Sequence, residues 1–330
     1  MMLKLPVSKM EELYSLIRAE KTLHLYDGKS PKKYFFPQSE NIVAFKTRGK
    51  EIVIEENRDP CEKFVLFGLK ACDCRALELL DKVFLDDPVD TFYQNRRLNG
   101  VIITSACSQP DEICFCSPFN IDPGSPEGDV ATWLIGDTLY WKSRTDKGKE
   151  VTEKVKHLFT QASFSDEAVI KSAQDEIKKI LEKLPLNNIN LSGFKPAALM
   201  QMFNSPHWAD LHRACLGCGT CTFVCPTCHC YDIHDYDTGK DIRRLRCWDS
   251  CMYSDFTLMS FGNPRKSQLE RFRQRFMHKL IYFPDKNDGV YACVGCGRCV
   301  NKCPVSLNIV KVVRAISPER AAMGGAENVQ

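Results

Sequence analysis

The sequence predicts an α+β fold. An N-terminal α/β domain over residues 1–200 precedes a mostly helical domain over residues 201–330, built around two cysteine motifs with a long insert between them. Three observations point this way. Two apolar, strand-like runs, KFVLFGLK at 63–70 and GVIITSA at 100–106, flank a helical stretch, CRALELLDKVFL at 74–85. That is the order of a βαβ unit in a small α/β sheet. The spacing C-x2-C-x2-C-x3-C-P occurs twice, at Cys215, Cys218, Cys221, Cys225 and Pro226, then at Cys293, Cys296, Cys299, Cys303 and Pro304. Finally, twelve of the 18 cysteines lie beyond residue 200, where no long apolar strand is found.

Each element follows from a local signal. Over residues 8–20, Met10, Leu13, Leu16 and Ile17 form one helical stripe, with Ser8 and Glu11 as a capping box. SPKKYFFPQSENIVAFK, from Ser30, is an irregular aromatic and proline segment, and EIVIEE at 51–56 is a short strand. ATWLIGDTLYWKS at 131–143 reads as a strand or hairpin pair. From 145 to 185 the chain is charged and helical; SFSDEAVIKSAQDEIKKILEKLP is the clearest helix, capped near Ser165.

The insert between the motifs runs for about 67 residues, too long for a compact bacterial ferredoxin. It holds DIRRLRCWDSC at 241–251 and NPRKSQLERFRQRFMHKLIYF at 263–283, a basic helix with Leu269, Phe272, Phe276 and Leu280 on its core face. Its arginines have two readings. They form a solvated surface, or they lie near a metal centre, raising its potential or docking an acidic partner. VSLNIVKVVRAI after Pro304 is a short helix that packs on the preceding cysteine loop. The Gly/Ala-rich tail 317–330 is expected to be mobile.

The doubled motif is the ligand pattern of a ferredoxin-like domain with two [4Fe–4S] clusters, in which the cysteine before proline serves the other cluster. Cluster 1 is therefore assigned to Cys215, Cys218, Cys221 and Cys303, and cluster 2 to Cys293, Cys296, Cys299 and Cys225. Gly217, Gly219, Gly295 and Gly297 permit the tight loop and leave amides to point at cluster sulfides. Zinc sites use pairs of C-x2-C and four thiolates per ion, which is not this pattern. Cys221-x3-Cys225-x2-Cys228 matches radical-SAM spacing, but its first two cysteines already belong to the better pattern.

Composition narrows the class. The chain is 44% hydrophobic and 26% charged, as a soluble globular protein is. It contains no apolar run near the roughly 18 residues of a membrane span. No signal-peptide h-region or twin arginine opens the sequence. Cysteines in that setting read as metal ligands in a reducing cytoplasm rather than disulfides. A net charge of +3 supports neither nucleic-acid binding nor direct membrane insertion.

Six cysteines precede the motifs. Cys72 and Cys74 follow the strand at 63–70, and Cys107, Cys114 and Cys116 follow the strand at 100–106. If those strands are adjacent and parallel, four or five thiolates meet at the strand ends where open α/β sheets bind ligands. Spacing alone leaves a third cluster and a set of buried thiols both open. Cys228, Cys230, Cys247 and Cys251 form a possible further metal site, although no strict ligand spacing supports it.

In order, CLGCGTCTFVCPTCHCYDIHD, RRLRCWDSCM, RFRQRFMHK and CVGCGRCVNKCP resemble the family of iron–sulfur electron-transfer proteins related to the sulfhydrogenase beta subunit, which also takes in the A component of anaerobic sulfite reductase. GLKACDCRALELLDKVFL, CSQPDEICFC and SPKKYFFPQSE resemble the first domain of that family; residues 145–200 are the least informative. The resemblance implies a third [4Fe–4S] cluster on Cys72, Cys107, Cys114 and Cys116, with Cys61 and Cys74 incidental. Cys228, Cys230 and Cys251 fall on the family pattern, while Cys247 departs from it.

The resemblance also implies an electron-transfer subunit. It would relay single electrons between two partners. One is a flavin- and NAD(P)-binding reductase subunit; the other is a catalytic or bifurcating subunit of hydrogenase, sulfite reductase or heterodisulfide reductase type. Neither G-x-G-x-x-G nor G-x4-G-K-[ST] occurs, so the flavin and nicotinamide are expected on another subunit. Two alternatives stand beside the relay. In one, a substrate-reducing cluster near Cys228 and Cys251 is catalytic; no Cys-Cys pair and no helical histidine pair supports it. In the other, the clusters only staple the fold.

Overall fold

A computed structural model describes residues 2–55, 61–239 and 241–317. The tail beyond Ser317, expected to be mobile, and Glu56 of the strand expected at 51–56 lie outside them. The chain divides into two compact units, each discontinuous in sequence. The first comprises Met1–Phe36, Asp59–Asn187 and Val294–Cys296; the second comprises Pro37–Arg58, Asn188–Cys293 and Gly297–Gln330.

The strands in chain order are β1 (Leu3–Pro6), β2 (Thr22–Leu25), β3 (Ser39–Arg48), β4 (Glu51–Glu55), β5 (Phe64–Leu69) and β6 (Gly100–Ser105). They continue with β7 (Val130–Ile135), β8 (Thr138–Ser143), β9 (Thr160–Gln161), β10 (Tyr231–Asp237) and β11 (Asp241–Trp248). The first unit is organised on a sheet of order β2-β5-β6-β7-β8-β1-β9. β2, β5, β6 and β7 run parallel, while β8, β1 and β9 are each antiparallel to the strand before them. β5 and β6 are joined through the helices Ala71–Phe84 and Thr91–Asn99, as a parallel crossover requires. β7 and β8 form a two-residue hairpin at Gly136-Asp137, where Gly136 takes φ 55.

Both faces of this sheet are covered. Leu13 and Ile17 of the helix Met10–Arg18 join Val65, Phe67, Ile103 and Trp141 in one core. The fully buried Trp141 places its indole N–H 2.8 Å from the Thr152 hydroxyl; such a side chain contributes about 1.5–3 kcal/mol by burial. On the opposite face Trp133 and Tyr140 pack against Ile170 of the helix Phe164–Glu182. Two caps differ from the sequence expectation. Ser8 lies in a 3-10 turn, and the first helix starts on Lys9 with no side-chain cap. The long helix is capped two residues earlier than expected, by a box of Ser163 and Asp166.

The second unit carries the short helices of the cysteine motifs and one antiparallel sheet of order β10-β11-β3-β4. The mostly helical expectation for residues 201–330 needs this correction: the insert contains a hairpin. Its strands, YDIHDYD and DIRRLRCW, are polar because β10 is exposed along its whole length, so they give no apolar signal. An ion pair between Arg246 and Glu40, both side chains 6% exposed, ties β11 to β3, with Nε 2.8 Å from the carboxylate. The basic helix spans Gln268–Met277, capped by Ser267 and Glu270, and then widens into a π-helical turn over His278–Tyr282. Phe272, Phe276 and Leu280 are buried as its stripe predicted, and Trp208 stacks on Phe276.

Candidate metal centres

Both cysteine motifs adopt the same local backbone. Gly217 and Gly219 take φ 68 and 71, and Gly295 and Gly297 take φ 59 and 73, all left-handed conformations that disfavour a side chain. Gly219 and Gly297 each cap a one-turn helix, Thr220–Phe223 and Arg298–Asn301, and these two helices pack on each other. A Cβ on Gly219 would stand 2.9 Å from the ring of Tyr253, whose hydroxyl donates to the Cys218 carbonyl at 3.3 Å. In the first unit, the Phe115 N–H donates to the Gly295 carbonyl at 2.9 Å, leaving no room for a side chain there.

Cys215, Cys218 and Cys221 line one cleft together with Cys303 from the other motif. Met252, Phe272 and Arg275 form part of the wall of this cleft. Backbone amides already aim at the sulfurs: Gly217 N lies 3.4 Å from Cys215 Sγ, and Leu307 N 3.2 Å from Cys303 Sγ. Four thiols around a cleft with amide donors suit a cubane. No group of three or more Cys, His, Asp or Glu among the described residues is placed to hold a single ion, but a cubane spreads its thiolates round a larger cage. Of the cluster 2 set, Cys225 and Cys299 lie near each other in the second unit, where burial and then the Cys225 charge raise the Cys299 thiol. Cys293 also belongs to that unit, whereas Cys296 ends the stretch Val294–Cys296 of the first.

Two cations are buried among these thiols, Arg275 at 4% exposure and Lys279 at 5%. Lys279 Nζ donates to Cys225 Sγ at 3.4 Å, Thr227 Oγ1 at 2.7 Å and the Ala292 carbonyl at 2.9 Å. Burial opposes the charge on Arg275, but the thiolates of Cys221 and Cys299 outweigh it and hold its pKa above the ordinary guanidinium value. Burial likewise opposes Lys279, and the Cys225 and Cys228 thiolates again reverse the direction. For Arg275 the solvated-surface reading of the helix's arginines is therefore overturned, while Arg273 and Arg271 remain only partly buried.

The structure brings three of the four further cysteines together. Cys228 hydrogen-bonds to Cys225, which lowers the Cys225 pKa and raises that of Cys228. Cys251 hydrogen-bonds to Cys230, a contact that with burial pushes the Cys251 thiol well up. The hairpin base makes this possible: Tyr231 pairs with Trp248, and Asp249 N donates to the Cys230 carbonyl at 3.0 Å. Cys247 points elsewhere, its Sγ 3.4 Å from Ser39 Oγ.

In the first unit, β5 and β6 are parallel neighbours, with Leu69 opposite Thr104 at their C-terminal ends. Cys72 sits in the first turn of the helix that follows β5, and Cys107 follows β6. Burial raises the Cys116 thiol to about 12, with the Cys107 and Cys114 charges adding to the effect, so these three share one neighbourhood. Burial raises Cys107 too, against the lowering influence of Lys70. A metal would remove that cost by holding the thiolates deprotonated. Cys74 faces a different place, a cavity of about 380 Å³ lined also by Glu78, Arg97, Asp129 and Lys147. Lys279 and Arg275 escaped sequence reasoning as individual residues. Their signal was a polar pair four apart beside the Phe272–Phe276 stripe.

These features define an iron–sulfur protein, and residues 214–307 match the 4Fe-4S dicluster domain family, which implies two [4Fe–4S] clusters. Over 285 residues the chain is 34% identical to sulfhydrogenase 2 subunit beta of Pyrococcus furiosus, covering 86% of this chain and 81% of that protein. The chain belongs to the family of sulfhydrogenase beta subunits. No solved structure matches it. No helix among the described residues is long and apolar enough to cross a membrane.

Proposed function

We infer that this chain relays single electrons within an anaerobic oxidoreductase complex of the cytoplasm. It takes them from or returns them to a flavin- and NAD(P)-binding subunit, and exchanges them with a catalytic or bifurcating subunit. A hydrogenase is the first choice of complex, since the relative is named as a sulfhydrogenase subunit. The observation that carries the reading is the cleft in which Cys303 joins Cys215, Cys218 and Cys221, because exchange of the fourth ligand between motifs holds two clusters close.

A cubane, when bound, supplies a one-electron couple. The chain's residues do the rest. Cys215, Cys218, Cys221 and Cys303 hold cluster 1, and Cys293, Cys296, Cys299 and Cys225 hold cluster 2. Cys72, Cys107, Cys114 and Cys116 hold a third. Cys218 is the one described cysteine that is exposed, which makes the cluster 1 loop the place for exchange with a partner. Met252 and Phe272 present apolar surface beside these sulfurs. The test is reconstitution: the flavin subunit is reduced with NAD(P)H and its reoxidation followed with and without this chain. The relay predicts acceptor reduction only when this chain is present. Equal rates without it, or reduction of sulfite, a disulfide or NAD(P) by the purified chain alone, would replace the relay with the structural or the catalytic reading.

A further inference from the structure

Lys279 is placed as a charge that the fold needs at one spot. An ammonium has three donors and no acceptor, and all three are used, on Cys225 Sγ, Thr227 Oγ1 and the Ala292 carbonyl. A buried cation is costly unless it is paired and hydrogen-bonded, and a methionine would fill the same space without that cost. The sulfur it meets is a ligand of cluster 2. It reaches that sulfur from the π-helical turn His278–Tyr282, the kind of local widening that concentrates at functional sites.

Arg275, one helical turn earlier, occupies a different position. It lines the cleft of Cys215, Cys218, Cys221 and Cys303, and it also hydrogen-bonds to Cys299 of the other set. Its Nε is buried and has no hydrogen-bond partner. One cation thus serves a ligand of cluster 2, and the other stands between ligands of both clusters.

We propose that Lys279 and Arg275 set the reduction potentials of the two C-terminal clusters unequally, with Lys279 making the cluster held by Cys225 the easier to reduce. The inference rests on the ligand sets of the relay. Each cluster accepts one electron, the donor loses one, and no bond or proton moves. A hydrogen bond to a ligand sulfur and a nearby positive charge both stabilise the added negative charge. An electron shared by the pair is then held preferentially at one end.

The test uses the full chain, purified anaerobically, with dithionite as reductant and the reduced fraction of each cluster followed by EPR at controlled potential. Lys279→Met is expected to lower the reduced-to-oxidised ratio of one C-terminal cluster at least tenfold at fixed potential, which for a one-electron couple is 59 mV. The second cluster should change less. Lys279→Arg, which keeps the charge, should restore most of the ratio, which a purely structural role would not do. A smaller fall, or an equal fall in both clusters, overturns the proposal. Where the methionine variant loses iron, Lys279→Gln decides by the same criterion. Failure of the relay would look different: the potentials would shift as stated while no electron passed between the partner subunits.

Discussion

Cys215–Cys225 and Cys293–Cys303 each place four cysteines within eleven residues of chain, whereas Cys72 comes from the helix after one strand and Cys107, Cys114 and Cys116 from the segment after its parallel neighbour. The first arrangement is held by local conformation: left-handed glycines, one-turn helices and a proline after the last cysteine. The second depends on strand order. The cations differ as well. Two are buried among the C-terminal thiols, while Lys70 is the cation that acts on Cys107. A local motif can therefore carry its own electrostatic tuning on one nearby helix, and a site assembled by a sheet depends on the sheet.

The sharpest way to break this comparison is to remove one ligand from each region. Cys303→Ser should lower iron and acid-labile sulfide by about four each per chain, with disturbance of both C-terminal EPR signals because the motifs share ligands. Cys72→Ser should lower iron by about four while leaving those signals unchanged; undiminished iron would defeat the third cluster. Next in size is Glu40→Ala, which strands Arg246 without its partner in the β3–β11 pairing. It should cost about 3–5 kcal/mol in denaturant unfolding, and it tests how far the C-terminal region depends on its hairpin.

Gly219→Ala should cost about 1–2 kcal/mol from the left-handed backbone alone, and more through its contact with Tyr253. Gly136→Ala, left-handed but with open space around it, isolates the backbone share. A further expected effect concerns pH. Burial, with help from His229 and Lys279, lowers His278 to about 3. The unfolded chain takes up a proton near the ordinary histidine value and the folded chain does not. Stability is therefore full above about 6.5 and falls as pH drops toward 3, by at most about 1.4 kcal/mol per unit. His278→Gln should flatten that loss in thermal unfolding between pH 7 and 5.

What the sequence made legible follows the same division. The strands β5 and β6, the first of the two helices between them and the β7–β8 hairpin were readable because apolar periodicity reports burial directly. The meeting of Cys303 with Cys215, Cys218 and Cys221 at one cleft was readable because the spacing rule that proposes them as ligands brings one cysteine in from the other motif. The hairpin of β10 and β11 was not, since an exposed strand such as YDIHDYD carries no apolar alternation. Its pairing with β3, about 200 residues away in sequence, leaves no local trace. The resemblance already set Cys247 apart from Cys228, Cys230 and Cys251; the physical reason needed that same pairing, because β11 turns Cys247 toward Ser39. Arg275 and Lys279 could not be singled out because charge is ordinarily solvated, and the thiols that justify their burial are distant in the chain.

Interleaved ligation of two clusters is the centre of this account, and EPR of the fully reduced chain tests it most directly. Cys303 in the cluster 1 cleft, with Cys225 given to the other set, predicts two paramagnets close enough to interact. Their spectrum should then be split and broadened, with the interaction growing in as the second cluster takes its electron. Two independent, unbroadened spectra, or no signal after full reduction with dithionite, would contradict it.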